Sequence, residues 1–131
     1  MITHDQLIFI LNQLYPQLTH GRDYLVGHPL DANTKEQSGD PYLLTWPESV
    51  PKPDVAALIA SYPTHENAWL AIQARDQRDY LLRQSDWTQA ADVPDAVKAQ
   101  ADAWRAYREA LRNLPQQTGF PAAITWPDRP A

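Results

Sequence analysis

The sequence of 131 residues contains no cysteine and only 4 glycines. Without cysteine, the chain cannot form a disulfide scaffold, a thiol nucleophile or a cysteine-based zinc or iron–sulfur site. The few glycines provide neither a phosphate-cradling loop nor a Gly-x-Ser-x-Gly nucleophile elbow. The 4 histidines lack the helical spacing of a metal site, which favours solvated or capping roles for them. The sequence therefore predicts no cofactor and no metal.

The chain also lacks an excess of basic residues and any long apolar run. Its 11 Lys and Arg against 16 Asp and Glu give a net charge of 11 − 16 = −5. This balance argues against broad nucleic-acid binding, which needs a basic face. The longest purely apolar run, Leu7 to Leu11, falls far short of the roughly 20 residues that span a bilayer. Because the run follows His4 and Asp5 rather than a basic segment, it does not resemble a signal peptide. We expect no membrane partner.

Proline and large aromatic residues are abundant. The chain has 12 Pro, 5 Trp and 6 Tyr within a 44% hydrophobic composition, which indicates a folded chain with many breaks. Residues 1–63 carry 3 basic and 7 acidic residues, whereas residues 64–131 carry 8 and 9. Because Pro63 disfavours helix at the residue before it, we predict two domains, 1–63 and 64–131.

The first half contains patterns for one helix and two strands. A capping-box pattern at Thr3 and Gln6 precedes apolar residues at helical spacing, which predicts a helix that ends before Pro16. Two β-rich runs, 23–26 and 42–46, predict an antiparallel hairpin with a long, mobile connection, the alternative being two extended segments that never pair. The predicted apolar helix face consists of Leu7, Ile10, Leu11 and Leu14. A proline-punctuated linker and a short helix are expected next, at residues 47–53 and 54–61.

The second half predicts two longer helices that form an antiparallel hairpin. The first runs from Thr64 to about Gln84, with an ion pair expected between Arg75 and Asp79. A polar interruption around Trp87 separates it from the second helix, which opens with acidic residues near Asp95 and ends before Pro115.

A heptad seam runs along this second helix. Six positions, five of them apolar, follow 3-4-3-4-3 spacing. The seam residues are Val97, Gln100, Trp104, Tyr107, Leu111 and Leu114. Because such a seam packs against a neighbouring helix, we predict a structural core of Trp104, Tyr107, Leu111 and Leu114 together with Leu81 and Leu82.

The segment Ile124-Thr125-Trp126-Pro127-Asp128 repeats the pattern of Leu44-Thr45-Trp46-Pro47-Glu48. One interpretation is two strands that each end by burying an indole in a core, with proline terminating the strand. The other is a repeated aromatic-proline docking surface. The residues alone leave both open.

One pair of carboxylates has the spacing of a catalytic acid pair. Asp76 and Asp79 share a helix face, which is one arrangement for the acids of a small hydrolase, but three arginines surround them. An ion-paired, solvated helix face is favoured. Since no other pattern indicates an active site, we predict a protein that is not an enzyme.

Two known families resemble the two halves. The second half resembles the phage tail assembly chaperones in four separated blocks, and the first half resembles XkdW-type prophage tail proteins more loosely. The chaperone-like blocks are residues 78–89 (RDYLLRQSDWTQ), 104–115 (WRAYREALRNLP), 119–121 (GFP) and 124–127 (ITWP). The XkdW-like positions are Tyr15-Pro16, Gly21–Tyr24, Leu44–Trp46 and Pro51–Pro53.

The patterns along the chain predict an α+β fold: an N-terminal helix on a small antiparallel β-sheet or hairpin, then an antiparallel helical hairpin and a short Pro-rich C-terminal tail. The resemblances concern function. They imply non-enzymatic assembly of the tails or tail fibres of phages, prophages or tailocins, in the host bacterial cytoplasm. The implied partner is a tail or tail-fibre protein. An alternative is a structural tail component that stays in the particle. The client and a homo-oligomeric state are left open.

An assembly chaperone must offer apolar surface to an incompletely folded partner. We therefore take five aromatic or proline residues in loops and at strand ends as candidate partner contacts. The alternative for those around the helical hairpin is a lid over its open end. The candidates are Trp87, Phe120, Pro121, Trp126 and Trp46.

Overall fold

A computed structural model describes all residues, Met1–Ala131. The chain forms two compact units, Met1–Trp69 and Leu70–Ala131. The helices are α1 (His4–Leu14), α2 (Val55–Ala60), α3 (Tyr62–Ser85), α4 (Asp95–Lys98) and α5 (Ala101–Arg112), and the strands are β1 (Leu25–Gly27) and β2 (Tyr42–Thr45). The predicted α+β class is confirmed. No helix combines the length and apolar character needed to cross a membrane.

Helix α1 begins with the predicted capping box. The Thr3 hydroxyl accepts a hydrogen bond from the Gln6 backbone N–H, and the Gln6 side chain accepts one from the Thr3 N–H. Leu7, Ile10 and Leu11 are fully buried in the core of the first unit. Leu14, the fourth residue of the predicted face, is instead 51% exposed. It lies in the last turn, where the helix has passed beyond the core.

The predicted hairpin is confirmed, with shorter strands than expected. β1 and β2 pair antiparallel, with Val26 opposite Leu43 and Gly27 opposite Tyr42. Val26 is buried in the first core, and Leu43 packs against that core. Since an isolated two-stranded hairpin is at best marginally stable in water, this sheet depends on the apolar face of α1.

The connection between the strands is tied to the start of the chain. Leu30 and Gln37 form an antiparallel bridge within it. The Gln37 side-chain amide donates to the carbonyl oxygens of Ile2 and Gly39, both at 2.7 Å. The Ile2 N–H in turn donates to the Asp40 carboxylate at 3.3 Å. These bonds give defined positions to a segment that the sequence pattern predicts to be mobile.

The first turns of α3 belong to the first unit. The Gln6 side-chain amide donates to the Tyr62 hydroxyl at 3.0 Å, and the ring of Trp69 packs edge-on against Phe9. Pro63 lies in the first turn of this helix, where a missing N–H costs nothing. The compact units therefore divide after Trp69, whereas the sequence places a domain boundary at Pro63.

The core of the second unit is a cluster on α5. Trp104 and Tyr107 are 4% and 6% exposed, and Leu111 is fully buried, with Leu81, Leu82 and Val97 packed around them. Leu114 is also fully buried, in a 3₁₀ turn that follows α5. The heptad spacing of the sequence therefore corresponds to a buried stripe.

The predicted second helix is divided into α4 and α5. At the division, the Gln100 N–H bonds to the Val97 carbonyl, three residues back, and Gln100 itself has φ −104° and ψ 15°. This tighter turn interrupts the α-helical hydrogen-bonding pattern. Val97 nevertheless still packs against the Trp104 cluster. The seam thus continues across the break in the helix.

Trp104→Ala should unfold the second unit. Removing a fully buried aromatic side chain typically costs about 3–5 kcal/mol, a large share of the roughly 5–15 kcal/mol that holds a domain folded. Tyr80→Ala is the matched control, because Tyr80 is 48% exposed in the same unit. Thermal melts followed by circular dichroism should show early unfolding for Trp104→Ala alone. Equal melting of the two variants would contradict this assignment of the core.

The Asp31 carboxylate should make the connection between the strands sensitive to acid. Hydrogen bonds from the backbone N–H groups of Thr34 and Asn33, both 2.8 Å, lower its pKa below the ordinary value of 3.8. A lowered pKa contributes stability that is present above 3.8 and lost as the pH falls through the folded-state pKa.

Asp31→Asn keeps the acceptor oxygen but removes the charge, so it should be less stable than the parent near neutral pH. The difference should disappear well below pH 3.8, where the parent carboxyl is also protonated. Melts of both proteins across this pH range measure the difference. A stability difference that persists in strong acid would show that the charge of Asp31 is not its cause.

Candidate partner-binding site

The C-terminal end of α3 is held by a single arginine of α5. Arg108 donates to the Leu82 carbonyl and the Ser85 hydroxyl, both at 2.7 Å, and to the Asp86 carboxylate at 2.8 Å. Its side chain is only 14% exposed. Carbonyl groups in the last turn of a helix have no partners within that helix. The rigid guanidinium of Arg108 supplies one for Leu82 and joins α5 to the following turn.

Two hydroxyl groups complete this helix end. The buried Ser85 hydroxyl lies 3.0 Å from both the Leu81 and the Leu82 carbonyl oxygens, and the Thr88 hydroxyl donates to the Ser85 carbonyl at 2.6 Å. These bonds hold the chain in the 3₁₀ turn Asp86–Gln89. The backbone that carries Trp87 is therefore fixed on both sides.

Trp87 is presented at this turn with one side supported. Its ring lies 6.3 Å from that of Trp104, at an interplanar angle of 61°, and Trp104 in turn contacts the ring of Tyr107. The Trp87 side chain remains 48% exposed. An indole that is held by a buried neighbour and still faces solvent has the geometry of an interface anchor.

Contacts between the segment that contains α3 and the segment that contains α5 show the relative direction of the two segments. Trp87 meets Trp104, Ser85 meets Arg108, and further from the turn Arg75 lies over the Phe120 ring at 5.2 Å. Contacts that advance along one segment while they retreat along the other define an antiparallel arrangement. The predicted antiparallel hairpin is therefore present in the second unit.

The C-terminal tail forms a closed loop. The Gln117 side-chain amide donates to the Thr125 carbonyl at 2.8 Å and accepts from the Thr125 N–H at 2.9 Å. Gly119 is required inside the loop, because a Cβ there would lie 2.5 Å from the Ala123 carbonyl oxygen. Further along, Arg129 lies 5.5 Å from the ring centre of Trp104. The tail thus covers part of the cluster around Trp104.

The five candidate contact residues occupy different environments. Trp87 and Trp126 are exposed, at 48% and 36%. Phe120 and Pro121 are half-buried, and Phe120 lies beneath Arg75. Trp46 is half-buried in the first unit and therefore belongs to a different surface.

Trp46 sits in the core-facing environment of the first unit. Its ring lies 5.0 Å from that of Tyr15 and 5.4 Å from that of Tyr24, and its N–H donates to the Val50 carbonyl at 2.9 Å. The repeated Trp-Pro pattern thus has two outcomes. The first copy ends a strand with a packed indole, whereas Trp126 follows no strand and remains exposed.

The acidic pair considered for catalysis is part of the helix surface. The spacing predicts an ion pair between Asp79 and Arg75. Asp79 instead pairs with Arg78 at 2.9 Å, because Arg75 lies over the Phe120 ring. Asp76 is exposed and makes no salt bridge. No group of three or more His, Cys, Asp or Glu residues is placed to hold a metal ion.

Sequence reasoning did not single out Arg108, Ser85 or Thr88. All three lie within blocks that carry the family resemblance, but nothing local indicates that Arg108 reaches the other block. The contact between Arg108 and Ser85 spans more than twenty positions along the chain, whereas Thr88 and Ser85 are only three apart. The only sequence signal for the Arg108 contact is an arginine in one block and a Ser-Asp pair in the other.

The geometry defines an α+β protein whose second unit is a helical hairpin with a half-exposed indole at its turn. Residues 71–131 match the family model of the phage tail assembly chaperone protein, and residues 7–70 match that of the XkdW protein. Both resemblances predicted from the sequence are confirmed. No curated protein and no solved structure matches the chain. Each match covers just under half of the chain, so the second part is similar to phage tail assembly chaperones and the first part to XkdW proteins.

Arg108→Ala should destabilise the second unit by about 1.5–3 kcal/mol, the usual contribution of a hydrogen bond from a charged group. The change leaves the Leu82 carbonyl without its Arg108 donor and removes the tie to Asp86. Arg112→Ala is the control, because Arg112 is exposed on the same helix. Chemical denaturation measures the difference. Equal stability of the two variants would mean that Arg108 does not hold the hairpin together.

Proposed function

We propose that this protein is a non-enzymatic assembly chaperone for a tail or tail-fibre protein of a phage, prophage or tailocin. It acts in the cytoplasm of the host bacterium, before or during incorporation of the client. The observation that carries this proposal is Trp87, which is 48% exposed on a turn whose backbone is held by side-chain hydrogen bonds. The family matches supply the class of client.

The proposed client surface centres on Trp87. Trp126 contributes a second exposed indole, and Phe120 with Pro121 provides half-buried apolar area in the tail. Aromatic anchors of this kind carry a large share of the binding energy at protein interfaces. Trp46 is left out of this surface, because it packs against Tyr15 and Tyr24.

The charge of the chain supports a protein client rather than nucleic acid. Residues 1–69 carry 3 basic and 8 acidic residues, or −5, and residues 70–131 carry 8 of each, or 0. Neither unit has the basic excess that displaces counterions from a phosphate backbone. The two exposed indoles, Trp87 and Trp126, instead suit the apolar segments of an incompletely folded protein.

Trp87→Ala should abolish client capture while the protein stays folded. Loss of an anchor residue costs at least about 2 kcal/mol of binding free energy, or about thirtyfold in Kd. Loss of the contact with Trp104 should cost the folded unit only about 0.5–1.5 kcal/mol. The measurement is co-purification with co-expressed tail and tail-fibre proteins of the same phage or prophage, together with a thermal melt.

Tyr80→Ala is the matched control for capture, because Tyr80 has the same 48% exposure in the same unit. It should bind the client as the parent does. If Trp87→Ala melts as early as Trp104→Ala, the indole is part of the core and the proposed contact is wrong. Stoichiometric presence of the protein in purified particles, measured by mass spectrometry, would instead favour a structural tail component.

A further inference from the structure

A small cleft lies beside the turn that carries Trp87. It has a volume of about 210 Å³ and is bounded by the end of the 3₁₀ turn, the chain that follows it, and the facing residues of α4 and α5. Pockets for drug-sized ligands usually measure about 300–1,000 Å³. The cleft is therefore of a size for one side chain or one chain end rather than for a larger metabolite.

The lining of this cleft is cationic in a chain of net charge −5. Lys98 and Arg105 both line it, and no acidic residue does. Lys98 forms no salt bridge within the protein. Arg105 pairs with Asp102, which lies outside the lining, through only one of its terminal nitrogens, Nη2. Both cations therefore retain N–H donors for a further group.

Neutral groups complete the lining. The Gln89 amide donates to the Thr88 hydroxyl at 2.9 Å, and the Thr88 hydroxyl is already committed to the Ser85 carbonyl. The walls are formed by small apolar side chains, including Val93 and Ala101. A lining with two cations and small apolar side chains suits an anionic group that is attached to an apolar chain.

We infer that this cleft binds a carboxylate of the client polypeptide, either its C-terminal carboxylate or an acidic side chain, while Trp87 contacts neighbouring apolar residues. The inference rests on the proposed function, because it assigns a second contact to the same client. A planar carboxylate is the group that an arginine fork and a nearby ammonium bind best among the groups a polypeptide offers. Trp87 directly precedes the lining residue Thr88.

The test uses the full chain and three synthetic probes, followed by two-dimensional NMR of the labelled protein. The first probe is an N-acetylated hexapeptide of leucine, valine and alanine with a free C-terminal carboxylate. The second is its C-terminal amide, and the third is that amide with one glutamate inside the sequence. Backbone amide shifts of the cleft residues, such as Gln89 and Val93, report the site of binding.

We expect the free acid to bind at the cleft at least about tenfold more tightly than the amide, as a charge-assisted hydrogen bond provides. Recovery of binding by the glutamate peptide assigns the site to acidic side chains as well as chain ends. Its failure to bind assigns the site to chain ends alone. Both outcomes support a carboxylate site. Equal binding of acid and amide, or no shift at the cleft with any probe, would overturn the inference.

Substitutions locate the effect. Lys98→Gln and Arg105→Gln should each reduce affinity for the free acid severalfold and abolish its advantage over the amide when combined. Arg112→Gln is the matched control, because Arg112 is an exposed cation of α5 outside the cleft. If Arg112→Gln weakens the free acid as much as the double variant does, the attraction is nonspecific and the inference fails.

The result of the peptide titration can be distinguished from the test of the proposed function. The peptide titration needs no client, whereas client capture is measured by co-purification. Loss of client capture in Trp87→Ala, with the cleft still preferring the free acid to the amide, would support both proposals independently. Normal client capture by the Lys98→Gln/Arg105→Gln double variant would overturn the carboxylate contact while leaving the chaperone proposal intact.

Discussion

The hydrogen bonds of the Arg108 guanidinium are the interaction on which the second unit depends. A helix cannot satisfy the carbonyl groups of its own last turn, and water cannot reach them once another helix packs there. Arg108 meets this constraint by bonding to Leu82, Ser85 and Asp86 at once. Because Arg108 is carried by α5, the same bonds that end α3 also fix where α5 lies. The 3₁₀ turn that follows α3 and carries Trp87 is therefore set by side-chain hydrogen bonds as well as by its own sequence.

The first unit solves a similar problem with side-chain amides. Gln6 caps α1 and reaches the Tyr62 hydroxyl, while Gln37 holds the connection between the strands to the carbonyl of Ile2. A sheet of two short strands has too little hydrogen bonding and buried area to stand alone. The amides tie the irregular segments to α1, whose buried leucines and isoleucine supply the core.

Features with a local cause could be read from the sequence. The capping box at Thr3 needs only residues three apart, and the buried stripe through Trp104 and Leu111 needs only regular spacing along one segment. The chaperone-like blocks were recognisable for the same reason. Features that depend on a distant partner could not be read in this way. The spacing predicts a pair between Arg75 and Asp79, but Arg75 lies over Phe120, a residue far along the chain.

The two Trp-Pro segments show why the candidate site was only partly predictable. Their residue patterns are nearly the same, yet Trp46 packs against two tyrosines and Trp126 remains exposed. The difference comes from the surroundings: the first copy ends a strand that lies on a formed core, and the second follows a loop closed by Gln117. Local sequence specifies an indole before a proline but cannot specify what faces it.

Fixing the turn around Trp87 has a consequence for binding. A flexible aromatic residue must lose conformational freedom when it enters a partner, and this loss opposes association. Trp87 lies on a backbone restrained by the Thr88 hydroxyl and rests against the buried ring of Trp104, so much of that ordering has already occurred on folding. The cost is an exposed indole, which favours nonspecific association in the absence of a client. For the chaperone function that we propose, the rigid indole is useful because it can engage apolar surface before the partner has found its own contacts.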